Sequence, residues 1–153
     1  MELTIPGIGN ITLKTLVLDL NGSLSVKGKI VPGVKKRLAI LKQRGMRIVF
    51  LSADTRNNAA NISKKLNIEF IKTTNAQEKL KTIKMLGPST CVAIGNGLID
   101  YDQINEARIG IVTLQAEGAH TKTLMAADIV VTSINDALDL IIEPINLIST
   151  LRL

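Results

Sequence analysis

Several stretches of this chain are apolar on consecutive rather than alternate residues. LVLDL (16–20), MRIVFLS (46–52), STCVAIG (89–95) and IGIVTL (109–114) are the clearest. A strand with one wet face alternates apolar and polar side chains, so an unbroken apolar run implies burial on both faces, the condition of a parallel sheet covered by helices. The segments between these runs carry helical periodicity. Residues 33–44 place Val34, Leu38 and Leu41 on one face and stop at Gly45, and 56–66 form a second amphipathic segment. IEFIK (68–72) reads as a strand, after which Asn75 caps a helix over 76–86, with Glu78 at the capping-box position and Gly87 closing it. A helix over 98–107, a short one near 120–126, a strand over 128–132 and a last helix capped by Ser133 and interrupted at Pro144 complete the pattern. Strand and helix in alternation predict an α/β fold, a three-layer doubly wound (Rossmann-like) parallel sheet. With no repeat, linker or low-complexity segment, residues 1–153 read as a single domain. Its start reads as a short strand, a glycine turn and a second strand ending at Asp19, and residues 23–32 as a hairpin-like flap.

Composition excludes several classes. No apolar run approaches the roughly 20 residues needed to span a bilayer, and MELTIPGIGN lacks the basic start, apolar core and cleavage site of a signal peptide. Cys91 stands alone, so neither an internal disulfide nor a thiolate metal cluster is expected. A cytoplasmic protein with no membrane partner is the default expectation. The net charge of +6 is unevenly spread, +11 over residues 1–84 and −5 over the remainder. The basic residues are scattered at helix-surface spacing, and Phe50, Phe70 and Tyr101 are the only rings, too few to stack bases. The basic half therefore reads as a solvated face that helps attract anionic substrates, not as a nucleic-acid surface.

In a doubly wound sheet the ligand lies beyond the carboxyl ends of the strands, near the point where strand order reverses. That rule gathers Asp19, Ser52 and the loop from Asn96 to Asp100 at one rim. Singly, each has a local explanation: Asp19 could cap a loop, Ser52 could cap helix 56–66, and Asp100 could decorate a helix. Jointly they point to a site.

The pieces DLNGSL (19–24), LSADT (51–55), Lys79 within EKLKTIKMLG, and AIGNGLID (93–100) succeed one another in a recognisable order. In this the chain resembles the haloacid dehalogenase superfamily of phosphohydrolases. It is most similar to the small soluble relatives of the P-type ATPase phosphorylation domain, and the likeness covers nearly the whole chain. The resemblance implies that Asp19 is a nucleophile taking up the phosphoryl group as an aspartyl-phosphate. It implies a phosphate pocket of Ser52, Ala53, Leu20, Asn21 and Lys79, the lysine also neutralising charge. It also implies Mg2+ held by Asp19, the Asn21 carbonyl and the loop containing Asn96 and Asp100, with either of the latter two as the direct ligand. Against this stands a local reading of Lys79 as a solvated helix lysine like Lys81 and Lys84.

Two positions depart from the family pattern. Phosphatases of this group usually carry Asp two residues after the nucleophile, as general acid and base, where this chain has Asn21. They usually read Gly-Asp-Gly in the later loop, where this chain has Gly95-Asn96-Gly97. An amide cannot protonate a departing alkoxide, and general acid–base help is worth roughly 10²–10⁴ in rate. Slow turnover of ordinary esters is the expected result, with less handicap for acyl phosphates, aryl phosphates or ATP. P-type ATPases, which also lack that Asp, work through a longer-lived aspartyl-phosphate.

No cap domain fits between Gly22 and Leu51 or between Ser52 and Lys79. An uncapped site needs a large substrate or a neighbouring subunit of a homo-oligomer to exclude water. The expected function is therefore Mg2+-dependent phosphohydrolysis, or ATPase-like phosphotransfer, on a phosphorylated small molecule or nucleotide. The alternative is a phosphate-binding regulatory protein of the same fold with impaired turnover. A receiver-like signalling domain ranks last, because it needs an acidic pair near the N-terminus that MELTIPGIGN lacks.

Overall fold

The chain opens with an antiparallel hairpin, Glu2–Ile5 (β1) and Gly9–Thr12 (β2), and turns at Leu13 and Lys14 before entering Thr15–Asp19 (β3). These features come from a computed structural model that describes residues 1–53, 58–115 and 117–153. The stretch expected as one strand running to Asp19 is thus two, and Asp19 closes the third strand. The break has a local cause: Leu13 still exchanges hydrogen bonds with Met1 across the hairpin, whereas Lys14 N–H donates to Thr90 O, so the chain leaves the hairpin at Lys14.

A two-stranded flap comes next, Ser25–Val26 (β4) and Lys29–Ile30 (β5), with its tip at Lys27 and Gly28. Then come Val34–Gln43 (α1), Arg47–Ser52 (β6), Asn58–Leu66 (α2), Glu69–Lys72 (β7) and Ala76–Leu86 (α3). Positions 56 and 57 of the expected second helix, and Asp54 and Thr55 of the LSADT motif, lie outside the described residues. Cys91–Gly95 (β8) leads through a 3₁₀ turn at Leu98–Asp100 into Tyr101–Glu106 (α4). Ile109–Thr113 (β9), Thr121–Ala126 (α5), Ile129–Val131 (β10), Ile134–Ile142 (α6) and Pro144–Leu151 (α7) complete the order. Pro144 opens α7 at a position where its missing N–H costs nothing, so the expected last helix is divided in two.

Six strands form one parallel sheet in the order β10-β9-β8-β3-β6-β7. The chain leaves β3 towards β6 and β7, then returns to place β8 on the other side of β3, so the order reverses beside β3. The α/β doubly wound expectation holds. Side chains of β3 divide by parity: Leu16 and Leu18 enter the core under α1, α2 and α6, while Val17 enters the core under α3 and α4. Ile48 and Phe50 against Val49 and Leu51, and Val92 and Ile94 against Cys91 and Ala93, repeat the division. Phe50 is fully buried, stacked on Phe70 at 5.1 Å between ring centroids. Truncating such a ring to Ala costs about 3–5 kcal/mol. Across the helical layer, Arg37 of α1 grips Asp139 of α6 with two hydrogen bonds of 2.7 Å each.

Candidate active site

β3, β6 and β8 end at the same rim, and the residues at and just past their ends line one cavity of about 220 Å³. Asp19 is the last residue of β3. Asn21 sits at the root of the flap. Ser52 is the last residue of β6 and Ala53 the next, and Asn96 comes directly after β8. Lys79 reaches the cavity from α3, because it lies one turn before the buried Ile83 and so shares that helix's inward face. The local reading of Lys79 as a solvated lysine is excluded: its side chain is 2% exposed.

The Lys79 ammonium donates to Asp19 Oδ1 and to Asp100 Oδ1, each at 2.6 Å. An ammonium has three N–H groups, so among the described residues one remains for the cavity. Asp100 is used fully. Its Oδ2 accepts the backbone N–H groups of Asn96 (3.0 Å) and Gly97 (2.9 Å), and its Oδ1 accepts Lys79 and Gln103 Nε2 (3.2 Å). Gly95 makes room for this carboxylate, since a Cβ there would stand 2.7 Å from Asp100 Oδ2.

Two carboxylates around one ammonium leave a surplus negative charge in a buried place. Burial first, then repulsion from Asp100, pushes the Asp19 carboxyl up to about 7, and Lys79 offsets this only in part. Burial also opposes the Lys79 charge, but Asp19 and Asp100 on either side outweigh it and hold the ammonium above the ordinary lysine value. The site is arranged to welcome a further cation.

Its donors suit a hard one. Asp19 has partners in Lys79 and the Leu20 backbone N–H, which leaves acceptor capacity on a carboxylate with about four lone-pair positions. Asn96 donates its amide N–H to Gly118 O (2.9 Å), leaving Oδ1 as its acceptor. Among the described residues no cluster of three or more His, Cys, Asp or Glu gathers for a metal. Oxygen donors with one carboxylate fit a divalent ion such as Mg2+, which characteristically binds through one or two carboxylates plus substrate phosphate.

Of the residues expected here, Asp19, Asn21, Ser52, Ala53, Lys79, Asn96 and Asp100 all line the cavity. The Leu20 side chain instead lies in the core, and its backbone N–H turns back to Asp19. Gly97 and Ile99 of the loop expected at this rim also line the cavity, while sequence reading missed Glu117 on the lining and Gln103 behind Asp100. Glu117 lies past β9 at the same rim, so the rule that gathered the others could have included it.

The Asn21 backbone is held by the flap root. Gly22 N–H donates to Ser25 O (2.8 Å), and Gly22 adopts a left-handed φ of 80° with the Asn96 amide pressed against it. A Cβ at Gly22 would meet that amide at 2.5 Å, so the flap root and the β8 loop close on each other only through glycine.

A doubly wound parallel sheet with polar side chains gathered at its carboxyl rim is the scaffold of an α/β enzyme. The model of the haloacid dehalogenase-like hydrolases matches residues 6–108, and the chain belongs to that family. An uncharacterized protein of Methanocaldococcus jannaschii is 42% identical over 74 residues, 48% of this chain and 80% of that one. The 3-deoxy-D-manno-octulosonate 8-phosphate phosphatase of Moraxella catarrhalis, solved with magnesium, phosphate and the sugar acid, shares the fold. It has a TM-score of 0.71 and 22% identity over 86% of each chain. The catalytic domain of the CPx-ATPase CopB-B has a TM-score of 0.64 and 27% identity, covering 73% of this chain and 45% of that one.

Proposed function

We propose that the chain is a phosphohydrolase in which Asp19 attacks phosphorus and carries the phosphoryl group as an aspartyl-phosphate. The observation that supports this most is the single buried ammonium of Lys79 bridging Asp19 and Asp100 at the carboxyl rim of the sheet, with one N–H still to give. Phosphoryl transfer asks a protein mainly for positioning and charge neutralisation, and this arrangement offers both. An Asp19 oxygen bonds to phosphorus as the bond to the leaving oxygen breaks. Lys79, the Ser52 hydroxyl and the backbone at Ala53 and Asn21 hold the phosphoryl oxygens, and water then releases Asp19. Leu20 N–H orients the nucleophile, and Asp100 fixes Lys79 and the β8 loop.

Asp19, the Asn21 carbonyl and Asn96 Oδ1 would hold Mg2+, which supplies positive charge to the phosphoryl oxygens when bound. Asp100 is not a direct ligand in this scheme, because its lone pairs are already occupied by four donors. Position 21 offers an amide, which favours leaving groups that depart without a proton: acyl phosphates, aryl phosphates or nucleoside triphosphates. The likeness to a CPx-ATPase catalytic domain supports the same preference. The substrate class is a phosphorylated small molecule or nucleotide entering an open cavity.

The second reading, a phosphate-binding regulator, is favoured by one observation: both Asn21 and Asn96 are amides in a site that holds an uncompensated carboxylate. Two assays on wild type and Asp19→Asn separate the readings. Mg2+-dependent binding of beryllofluoride together with p-nitrophenyl phosphate turnover, both lost in Asp19→Asn, supports the enzyme. Binding without turnover supports the regulator. Turnover that survives Asp19→Asn rejects both.

A further inference from the structure

We propose that Glu117 supplies the proton that Asn21 cannot, acting as general acid on the leaving oxygen and then as general base on the attacking water. The inference rests on the phosphohydrolase reading above and deepens it. Glu117 lines the same cavity as Asp19 and Asn21 but, unlike Asp19 and Asp100, it is exposed, at the mouth rather than on the floor. Among the described residues it is the one carboxylate of this cavity with neither an ion pair nor a hydrogen-bond partner. Asp100 is saturated by four donors and Asp19 is the nucleophile, so neither can lend a proton.

The loop bearing Glu117 is tethered on both sides. Ahead of it, Gln115 Nε2 donates to Gly22 O (3.0 Å) and Ser23 O (2.5 Å) at the flap root, and Gln115 Oε1 accepts Ile134 N–H (3.0 Å). Behind it, Gly118 O accepts the Asn96 amide (2.9 Å), and His120 N–H donates to Asn96 O (2.8 Å). Glu117 is therefore anchored between the two positions, 21 and 96, where this chain carries amides. Attack by Asp19 from the floor drives the leaving group along the line of attack towards the mouth, where this carboxyl stands. In the first step the Asp19–phosphorus bond forms, the phosphorus–oxygen bond of the ester breaks, and the Glu117 carboxylic acid gives its proton to the departing alkoxide. In the second, the Glu117 carboxylate takes a proton from water as that oxygen bonds phosphorus and Asp19 leaves as carboxylate. Protons and charges return to their starting places. A long side chain on a loop is a less rigid acid than a short one beside the nucleophile, so alkyl esters turn over slowly but through Glu117.

The test compares glycerol 2-phosphate, whose alkoxide needs a proton, with p-nitrophenyl phosphate, whose phenolate does not. Glu117→Gln should lower kcat/KM for glycerol 2-phosphate by about 100-fold and change that for p-nitrophenyl phosphate by less than about 3-fold, because only the step with a poor leaving group uses the acid. Equal losses on both substrates assign Glu117 to binding and overturn the proposal, as does no loss on either. Absence of p-nitrophenyl phosphate turnover in wild type rejects the phosphohydrolase reading and this inference with it, which distinguishes the two failures. Gln matches Glu in size at an exposed position, so a fold defect does not confuse the result, and an unchanged circular dichroism spectrum checks this.

Discussion

Lys79 and Asp100 meet 2.6 Å apart with side chains only 2% and 1% exposed, so the ion pair is sealed from water. A buried pair of this kind responds very differently to loss of either sign. Lys79→Met leaves Asp19 and Asp100 facing each other without a cation, and removing one partner of a buried pair costs about 3–5 kcal/mol. We expect Lys79→Met to lose phosphatase activity and to melt well below wild type in metal-free buffer. A variant that is inactive yet melts with wild type would show that Lys79 serves chemistry without holding the rim together.

Asp19→Asn should do the opposite to stability. It removes the surplus charge and leaves Lys79 paired one to one with Asp100. The Asp19 carboxyl lies at about 7 in the folded protein against an ordinary 3.8. With the folded value above the unfolded one, the stabilising contribution is complete below the unfolded value and is lost as pH rises through the folded one. Metal-free wild type should therefore lose stability between about pH 4 and about pH 7, and Asp19→Asn should lack that loss. Melting both proteins in chelator across this range, we expect the variant's advantage to widen with pH; an advantage that is constant or shrinks contradicts the charge surplus.

Much of this site was legible because strand ends are legible. Asp19, Ser52 and Asn96 each terminate or come just after an unbroken apolar run, and a doubly wound sheet brings such ends together whatever the details of the loops. Lys79 was harder, being one of several lysines on α3, and burial emerges only from its sharing a face with Ile83. Gln103 and Glu117 were missed because their roles are set by pairings that no local pattern announces. One braces Asp100 from the next helix, and the other is carried to the flap root by Gln115, which lies 93 residues from Gly22. The extra break between β2 and β3 escaped notice for the same reason, since it depends on Lys14 meeting Thr90.

Asn21→Asp places a short carboxyl beside Asp19, the proposed nucleophile. If position 21 is where an acid is wanting, the variant should raise kcat/KM for glycerol 2-phosphate by at least about 10-fold, less than the roughly 10²–10⁴ of full acid–base help because Glu117 already supplies part of it. It should leave kcat/KM for p-nitrophenyl phosphate nearly unchanged, and Glu117→Gln should then matter little in its background. Steady-state kinetics on the two single variants and the double variant measure this directly. An unchanged rate on the alkyl ester in Asn21→Asp means the amide is not what limits that reaction.

Asn96→Asp tests the metal side, and its two effects should oppose each other. The Asn96 amide N–H donates to Gly118 O in wild type, and a carboxylate there would face that carbonyl oxygen with nothing to give. Losing the donor and setting like charges together costs about 1–3 kcal/mol, in a pocket already short of positive charge. The metal-free variant should melt below wild type. A second carboxylate beside Asp19 should also strengthen Mg2+ binding in the absence of phosphate, since wild type offers only one charged ligand. Thermal melts with chelator, with Mg2+, and with Mg2+ plus beryllofluoride separate these contributions. We expect wild type to shift little with Mg2+ alone and strongly once beryllofluoride completes the coordination, whereas Asn96→Asp should start lower and shift with Mg2+ alone. If Mg2+ by itself moves both proteins equally, residue 96 does not face the ion and Asn96 Oδ1 is not a ligand.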